Sequence, residues 1–526
     1  MKFIVKNLLI PIELDGYETY FTHASEKMRV PATALKILKI LSKNLDIRDK
    51  SQFTYKVSLL VDTEQSCNIS EALLPYEDES TQIRKTRPST ASLRPLIVGF
   101  GPAGMFAALT LIDHGFRPII FERGKKIDER SIDVEHFIRK RQLNPESNIQ
   151  FGEGGAGSYS DGKLFSRRDK NTSTVNRVLR TFVKFGAPKE IEYIGKPHLG
   201  TDVLCKIVKN IRCYILAHGG EIHYSARMTD ILFSGDSVGG LIINDEKEYL
   251  SSAVFLAPGH SARDTFHLLR HKGVALEQRK IAVGVRIEHP VEIIDRMRYG
   301  DKYFGYPGLG AATYSINHTN RAIKRGVYTF CMCPGGEIVN ASSEPGRLVL
   351  NGMSYSDRAR PFSNGALVVN CHCSDYHSDN PLAGISFQQE IEKKAFAAGG
   401  DKWSAPAQNL MHFLGTNSQN KLHKTSYQMS VTASDMHTIL PEFITRELHV
   451  AFQKWRTEVP LFISEHAMLL AAETRTSSPV RIIRNENFES INTKNLYPIG
   501  EGAGYTGGIT SSAADAIKAV EQFSKL

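Results

Sequence analysis

The spacing of apolar and polar residues changes period several times along this chain, and those changes divide it. Near the start, FIVKNLLIPIEL (3–14) is dense in β-branched and apolar residues, and QFTYKVSLLVDTE (52–64) alternates; both read as strands. Between them PATALKILKILSKNL (31–45) places its apolar residues at helical spacing. The combination predicts a small α+β domain over residues 1–90. Its last part, PYEDESTQIRKTRPSTASLRP (75–95), is polar, charged and interrupted by proline, and reads as a linker.

The period then shifts to that of alternating strands and helices. LIVGFGPAGMFAALTLIDHGFRPIIFE (96–122) is an apolar run, a glycine turn, an alanine-rich helical pattern, a second apolar run and a carboxylate. TDVLCKIVKNIRCYILAHGG (201–220) is helical, EIHYSARMTDILF and VGGLIINDEKEYL are strand-like and joined near Ser234-Gly235-Asp236, and AVFLAPGHSARD (253–264) comes next. Residues 275–484 carry short strands, glycine turns and two helical stretches. NLYPIGEGAGYTGGITSSAADAIKAVEQF (495–523) returns to strand, glycine loop and helix. The fold class this predicts is α/β. A doubly wound, Rossmann-like domain is assembled from 91–274 and 485–526, and a β-rich domain (275–484) is inserted into it.

The chemistry of the first unit derives from its glycines. Gly99 permits the tight turn out of the strand, Gly101 lets the backbone approach a pyrophosphate, and Gly104 lets the helix pack on the sheet. Pro102 and Ala103 open the helix, whose N–H groups and dipole attract phosphates. Glu122, next to Arg123, falls where a carboxylate accepts hydrogen bonds from adenosine ribose hydroxyls. This order identifies an adenine-dinucleotide site but does not separate FAD from NAD. The C-terminal segment does: Gly500-Glu501 ends a strand with a carboxylate suited to a ribityl hydroxyl. Gly507-Gly508-Ile509 then starts a helix whose amides would stabilise negative charge at a flavin N1/O2 edge. FAD is the expected cofactor.

Bulk properties narrow the remaining classes. The chain has 526 residues and a formal charge of +9. Residues 1–90 hold thirteen Lys/Arg against twelve Asp/Glu, so the excess is not a basic arm. Lys125-Lys126, Arg139-Lys140-Arg141 and Arg167-Arg168 are short clusters flanking the dinucleotide region, and read as a solvated face or as charge complementing phosphates rather than nucleic-acid binding. The N-terminal stretch reads as a strand rather than a signal peptide, and no run of eighteen apolar residues occurs, so no membrane span is expected. Seven cysteines do not make a disulfide framework, so a reducing compartment, the cytoplasm, is expected. Ser524-Lys525-Leu526 would direct the chain to peroxisomes only in a eukaryote.

The blocks FGEGGAGSYSDGKL (151–164), KPHLGTD (196–202), GHSARDTF (259–266), AVGVRIEHP (282–290), RGVYTFCMCPGGEIVNASSE (325–344), ETRTSSPVRI (473–482) and PIGEGAGYTGGI (498–509) carry a resemblance to a known family. The chain resembles the uncharacterised bacterial FAD-dependent (NAD(FAD)-utilising) dehydrogenases of the glutathione-reductase-like flavoprotein superfamily. The resemblance implies a ferredoxin-like N-terminal domain. It also implies that Gly154, Gly155, Ala156 and Gly157 lie along the FAD, and that Ala257-Pro258-Gly259 forms the crossing near its adenosine half. Two departures are TSYQM (425–429), where a Pro-Ser-Tyr-x-Pro-Gly turn is usual, and the CHC at 371–373.

Candidates for catalysis are sparser. The Cys-x4-Cys pair of flavin-disulfide reductases is absent, which argues against dithiol chemistry. The pairs Cys331/Cys333 and Cys371/Cys373 have a poor spacing for zinc, and no metal is expected. Tyr328, Cys333, Pro334 and Gly335 are placed to cover the flavin ring, or are ordinary strand residues. Arg475 and Arg481 suit a carboxylate or phosphate clamp, and Ser477-Ser478 a bond to substrate or flavin; structural ion pairs are the competing account. Histidines 198, 260, 289 and 318 lie in loops and none is singled out as a general acid.

The reading is an FAD-dependent oxidoreductase moving a hydride between a small organic substrate and flavin N5. No second GxGxxG comes after a strand, so NAD(P)H, where used, would visit transiently. A flavoprotein binding RNA or a protein through its N-terminal domain, and a flavin monooxygenase, are the alternatives. The sequence names neither substrate nor oligomeric state.

Overall fold

The computed structural model describes residues 1–65, 73–75, 94–164 and 173–525. Most of the predicted linker, the Arg167-Arg168 pair and Leu526 lie outside them. Among the described residues no helix is long and apolar enough to cross a membrane.

The N-terminal region comprises β1 (Lys2–Pro11), α1 (Tyr17–Met28), β2 (Leu35–Asp46), β3 (Thr54–Thr63) and β4 (Leu73–Pro75). The strands form one antiparallel sheet in the order β2–β3–β1–β4. Residues 31–45 are thus largely a strand, not the helix their spacing suggests. Register shifts at Ile37/Lys39 and Ile40/Ser42 insert extra residues into β2. Each shift moves the phase of a two-residue alternation, and the result imitates a helical period. The helix lies earlier, where Tyr20, Ala24 and Met28 make a narrow i, i+4, i+8 stripe that packs on Phe3, Val5 and Val57.

The next segment runs through β5 (Leu96–Val98), α2 (Pro102–Asp113), β6 (Ile119–Phe121), α3 (Ile127–Lys140), α4 (Ser173–Lys184), α5 (Thr201–Ala217) and β7 (Glu221–His223). The antiparallel strands β8 (Met228–Ser234), β9 (Ser237–Ile243) and β10 (Lys247–Leu250) come after it, then β11 (Val254–Leu256) and α6 (Arg263–His271).

The insert begins with β12 (Leu276–Gln278) and β13 (Ile281–Pro290), then α7 (Val291–Tyr303), β14 (Asn317–Asn320), β15 (Arg325–Cys333), β16 (Glu337–Asn340), β17 (Leu350–Met353) and β18 (Phe362–Cys371). It continues through α8 (Ala383–Ala398), β19 (Ala405–Asn409), α9 (Leu410–Phe413), β20 (Val431–Ala433), α10 (Met436–Ile439), α11 (Glu442–Glu458), β21 (Met468–Glu473) and β22 (Val480–Ile482). A seven-stranded sheet, β14–β15–β18–β13–β21–β19–β20, forms its centre. The insert holds more helix than its two expected stretches: α7, α8 and α11 bury Ile294, Ile391 and Trp455 in the core shared with β13 and β18. The loop at 425–429 is fixed by Ser426, whose backbone N–H donates to Glu288 Oε2 (2.8 Å), and by Tyr427, whose hydroxyl donates to the Trp403 carbonyl (2.7 Å).

The chain returns through β23 (Leu496–Pro498) and α12 (Ile509–Phe523), completing a parallel sheet in the order β23–β11–β5–β6–β7. Ile97, Ile120 and Phe255 face α2, α4, α5 and α12; Leu96, Val98 and Val254 face α6 and the β8–β10 sheet. Helices therefore cover one face, and an antiparallel sheet with a single helix covers the other, in place of two helical layers. The order reverses between β5 and β11, and at such a switch point the connections leave to opposite sides and open a crevice at the carboxyl ends of the strands.

Candidate functional site

The crevice is lined by residues at the carboxyl ends of three adjacent strands: Gly99 after β5, Ala257 after β11 and Ile499 after β23. Gly99 has φ +93°, and a Cβ there would sit 2.2 Å from the Ala257 carbonyl oxygen. A Cβ on Gly104 would sit 1.9 Å from the Gly99 oxygen. Neither position accepts a side chain, which is why α2 can pack so closely against the turn. Gly101 ends the turn with no side-chain cap, and Pro102 opens the helix, so the start of α2 presents backbone N–H groups toward the crevice.

Glu122 directly follows β6, buried, and its carboxylate accepts from the backbone N–H groups of Phe100 (2.8 Å), Gly124 (2.9 Å) and Gly152 (2.9 Å). An ionised carboxylate has about four acceptor sites. Three hold the glycine turns together, and the remaining capacity faces the cavity that Glu122 lines. Arg123 also lines it, but its guanidinium is held by Glu146 and Asp264 (both 2.9 Å) and stacks on Phe151.

The glycine-rich segment after α3 is wrapped around one buried cation. Arg130 donates to the carbonyls of Asn148 (2.8 Å), Ile149 (2.8 Å), Glu153 (2.8 Å) and Gly155 (3.0 Å). Burial lowers its pKa, while Tyr159 and Glu122 act in the opposite sense. The loop's glycines divide by role. Gly155, Ala156 and Gly157 line the cavity, whereas Gly154 is turned away, with its N–H on the Phe100 carbonyl (2.9 Å). Beyond them Asp161 joins this loop to the insert: it pairs with Lys163 (2.7 Å) and Arg358 (2.6 Å) and accepts from Ser354 (2.5 Å). Its pKa is lowered by these two cations against the opposing effect of burial.

At the far end the wall is made by Phe330 and Cys331 of β15, Asn351 of β17, Glu473 and Arg475 of β21 and the turn after it, and Glu501. Burial pushes Glu501 up to about 7, against a backbone hydrogen bond from Gly508. Glu473 is likewise raised to about 7 by burial, although the Arg286 guanidinium lies 3.2 Å away. Gly508 and Ile509 line the cavity where α12 begins, again without a side-chain cap.

Most expected cofactor residues therefore meet on one cavity: Gly99, Gly101, Pro102, Ala103, Glu122 and Arg123 at one end, and Gly259, Glu501, Gly508 and Ile509 beyond the crossing. Gly104, Gly154, Gly500 and Gly507 do not line it; Gly500 instead donates to Asp515 (2.9 Å) behind the helix. Among the expected catalytic candidates only Arg475 reaches the wall. It is not a free clamp, because Glu392 takes its Nε and Nη2 (3.1 and 3.0 Å). Arg481 points elsewhere: it pairs with Glu277 across the β12–β22 ribbon (2.5 Å) and stacks on Tyr505, so the two arginines do not converge. Ser477 is half-buried outside the wall, and Ser478 closes a local turn with the Val480 carbonyl. The β15 residues facing the cavity are Phe330 and Cys331, in place of Tyr328, Cys333, Pro334 and Gly335. A bulge between Phe330 and Cys333 re-aims the strand and shifts the alternation.

The two CxC pairs cannot share an ion. Cys333 stands opposite Asn364 of β18, and Cys371 lies seven residues further along that strand, roughly 23 Å at about 3.3 Å per residue. Of the loop histidines, His260 lines the cavity and burial pushes it down to about 3, leaving it neutral and paired with Ser261 (2.9 Å). His289 accepts no such role: it sits in the insert core against the Phe462 carbonyl (2.8 Å). Lys163, Arg286 and Glu473 were visible in the sequence only as parts of longer blocks. Nothing in their spacing marked them, since each is brought to the site by a different strand or loop.

Residues 280–476 match the family model described as FAD-dependent protein, C-terminal domain-like. An uncharacterized protein of Clostridium beijerinckii (strain ATCC 51743 / NCIMB 8052) is 40% identical over 505 residues, spanning 94% of each chain. The chain belongs to this family of FAD-dependent proteins. Solved structures with a distant likeness include the flavin-dependent brominase Bmp2, at 13% identity over 82% of this chain and 79% of that one, TM-score 0.37. A variant of the halogenase PltM in complex with FAD gives 9% identity over 82% and 69%, TM-score 0.37.

Proposed function

We propose that the protein is an FAD-dependent oxidoreductase that exchanges a hydride between a small organic substrate and flavin N5. One observation carries this reading: a single cavity runs from the Gly99 turn and Glu122, past the start of α12, to Phe330, Cys331 and Glu473 of the insert. The residues fit FAD. Gly259 (φ +72°) and Gly508 (φ +88°) both border the cavity with open space where a Cβ would stand, and both helix starts that meet it lack side-chain caps.

In this reading 91–274 and 485–526 hold the dinucleotide and 275–484 covers the ring. Gly101, Pro102 and Ala103 take the pyrophosphate, Glu122 the ribose, and Gly155 to Gly157 the length of the cofactor. Glu501, held by the Gly508 N–H, takes a ribityl hydroxyl, and the Ile509 amide at the start of α12 takes the N1/O2 edge. Bound FAD would supply the two-electron acceptor and donor. The chain's own residues exclude water, orient the ring and set the charge around it: Lys163, Glu473 and Glu501 line the far wall, and Arg286 pairs with Glu473 (3.2 Å). The substrate face is the one bounded by Phe330 and Cys331, and NAD(P)H would visit there transiently. Anaerobic stopped-flow mixing with NADH and with NADPH tests this. Bleaching of the flavin absorbance by one of them, and then reoxidation on adding an organic acceptor, is the expected result. Flavin that dithionite reduces but no hydride donor or acceptor alters would overturn the hydride reading.

A further inference from the structure

The seven-stranded sheet brings to the cavity a pair of thiols that the proposed hydride transfer does not use. In a regular strand, residues two apart point to one face about 6.8 Å apart, at the outer edge of what a disulfide bridges. β15 is not regular there. Its register with β18 shifts between Phe330 and Cys333, and Cys331 adopts φ +44°, in the left-handed region. The bulge turns Cys331 into the cavity wall and leaves Cys333 fully buried behind it, its thiol donating to the Cys331 carbonyl (3.5 Å).

The surroundings distinguish the two sulfurs. Lys163 reaches in from the glycine-loop side, bonded to the Met332 carbonyl between the two cysteines and paired with Asp161 (2.7 Å). Arg286 reaches in from β13, donating to the Cys331 carbonyl (3.0 Å) with Nη2 3.7 Å from Cys333 Sγ. Glu473 from β21 and Glu501 from the C-terminal turn complete the charged surroundings. The neighbouring Cys333 thiol, with Lys163 and Arg286, draws Cys331 below the ordinary thiol range, while burial pushes Cys333 well above it. A cavity-facing sulfur beside two cations, with a buried thiol behind it, is the arrangement of a reactive dithiol. The second pair lacks these features: Cys371 lies in the core against the Val369 carbonyl, and burial pushes it up to about 12.

We propose that Cys331 and Cys333 are a redox-active pair that closes to a disulfide and reopens by exchanging two electrons with the bound flavin. The proposal rests on the FAD reading of the cavity. In the reducing direction the S–S bond breaks as it accepts two electrons and one proton, all supplied by the anionic reduced flavin. Cys331 leaves as thiolate, Cys333 as thiol, and oxidised flavin remains; no further reactant is needed. The protein then stores two electron pairs where flavin alone stores one. The dithiol expected to be absent, for want of Cys-x4-Cys, is thus supplied from another strand at a tighter spacing.

The test uses the full-length, FAD-loaded protein, oxidised with diamide, freed of it, and titrated anaerobically with dithionite. Samples are quenched, denatured and alkylated along the titration, and the peptide containing both cysteines is weighed. Wild type is expected to consume two electron pairs, with alkylation of Cys331 and Cys333 appearing during the titration. Cys331→Ser and Cys333→Ser should each consume one pair, and Cys373→Ser two. A long-wavelength charge-transfer absorbance in the partly reduced wild type, lost in Cys331→Ser, is the spectroscopic counterpart. Consumption of a single pair, with both thiols open after diamide, overturns the proposal. A preparation that holds no FAD defeats the cofactor reading instead. The alkylation arm still decides the pair there, because a Cys331–Cys333 disulfide after diamide supports it and two open thiols overturn it.

Discussion

Arg475 and Glu392 form a two-pronged ion pair inside the protein, with Nε and Nη2 at 3.1 and 3.0 Å from the two carboxylate oxygens. Arg263 grips the same carboxylate from the other side at 2.9 and 2.8 Å. Two cations share one buried anion, and Arg475 bonds onward to Ser261 and Ser343 (3.1 and 2.7 Å), so the pair braces the cavity wall. Glu392→Gln leaves the buried Arg475 without an anion and Arg263 with Glu344 alone (3.0 Å), and should cost about 3–5 kcal/mol, read by chemical denaturation.

The same pair sets a pH dependence. Arg263 and Arg475 hold Glu392 well below the usual carboxylate range, overcoming burial. Its folded-state pKa is depressed, so its contribution is fully present above the ordinary glutamate value of about 4.3 and is lost as pH falls below that. Wild-type stability should drop with acid below about pH 4.3, and Glu392→Gln, already weakened, should drop less over that window.

Two glycines of the same site separate packing from backbone strain. Gly99→Ala forces a Cβ to within 2.2 Å of a backbone oxygen, whereas Gly259→Ala meets open space and only the strain of φ +72°. The second should cost roughly 1–2 kcal/mol in the flavin-free protein and weaken FAD binding by crowding the cavity it borders. The first should cost more and lose FAD outright. Equal FAD occupancy in the two purified variants would show that the turn does not hold the dinucleotide.

Arg130 is the third lever. Its guanidinium organises the carbonyls of the glycine loop, and Arg130→Lys keeps the charge but loses the planar fork. At least a tenfold weaker FAD retention is expected, with a stability loss of roughly 3 kcal/mol from carbonyls left without donors. Unchanged FAD dissociation on dilution would contradict this account of the loop.

Glu501, raised to about 7 by burial, gives the cavity its own pH response. Below that value it is neutral; above it a negative charge stands in a site that receives a diphosphate. FAD affinity of the flavin-free protein should therefore fall as pH rises through about 7, and the fall should be smaller in Glu501→Gln. Glu473, raised by the same cause, supplies the remainder.

The Gly99–Glu122 end of the cavity was legible because its geometry is local. Gly99 to Glu122 is one continuous strand–turn–helix–strand, and each residue's role comes from its place in that unit. The far wall was not legible, because Arg286, Cys331 and Glu473 meet through the register of a seven-stranded sheet and Lys163 reaches them from the loop after the glycine-rich segment. The bulges had the same effect on pattern reading at both ends of the chain. In β2 they made a strand look helical, and in β15 they exchanged Cys333 for Cys331 at the cavity. Arg475 and Arg481 looked like partners by spacing, yet the chain turns between β21 and β22 and sends them to Glu392 and Glu277.

The most direct test of the central claim is to denature the purified protein and identify what it releases. The account predicts a yellow protein, or one that takes up added FAD, releasing FAD rather than FMN, with Glu122→Ala retaining less of it. A colourless protein that fails to take up FAD would contradict the account at its root.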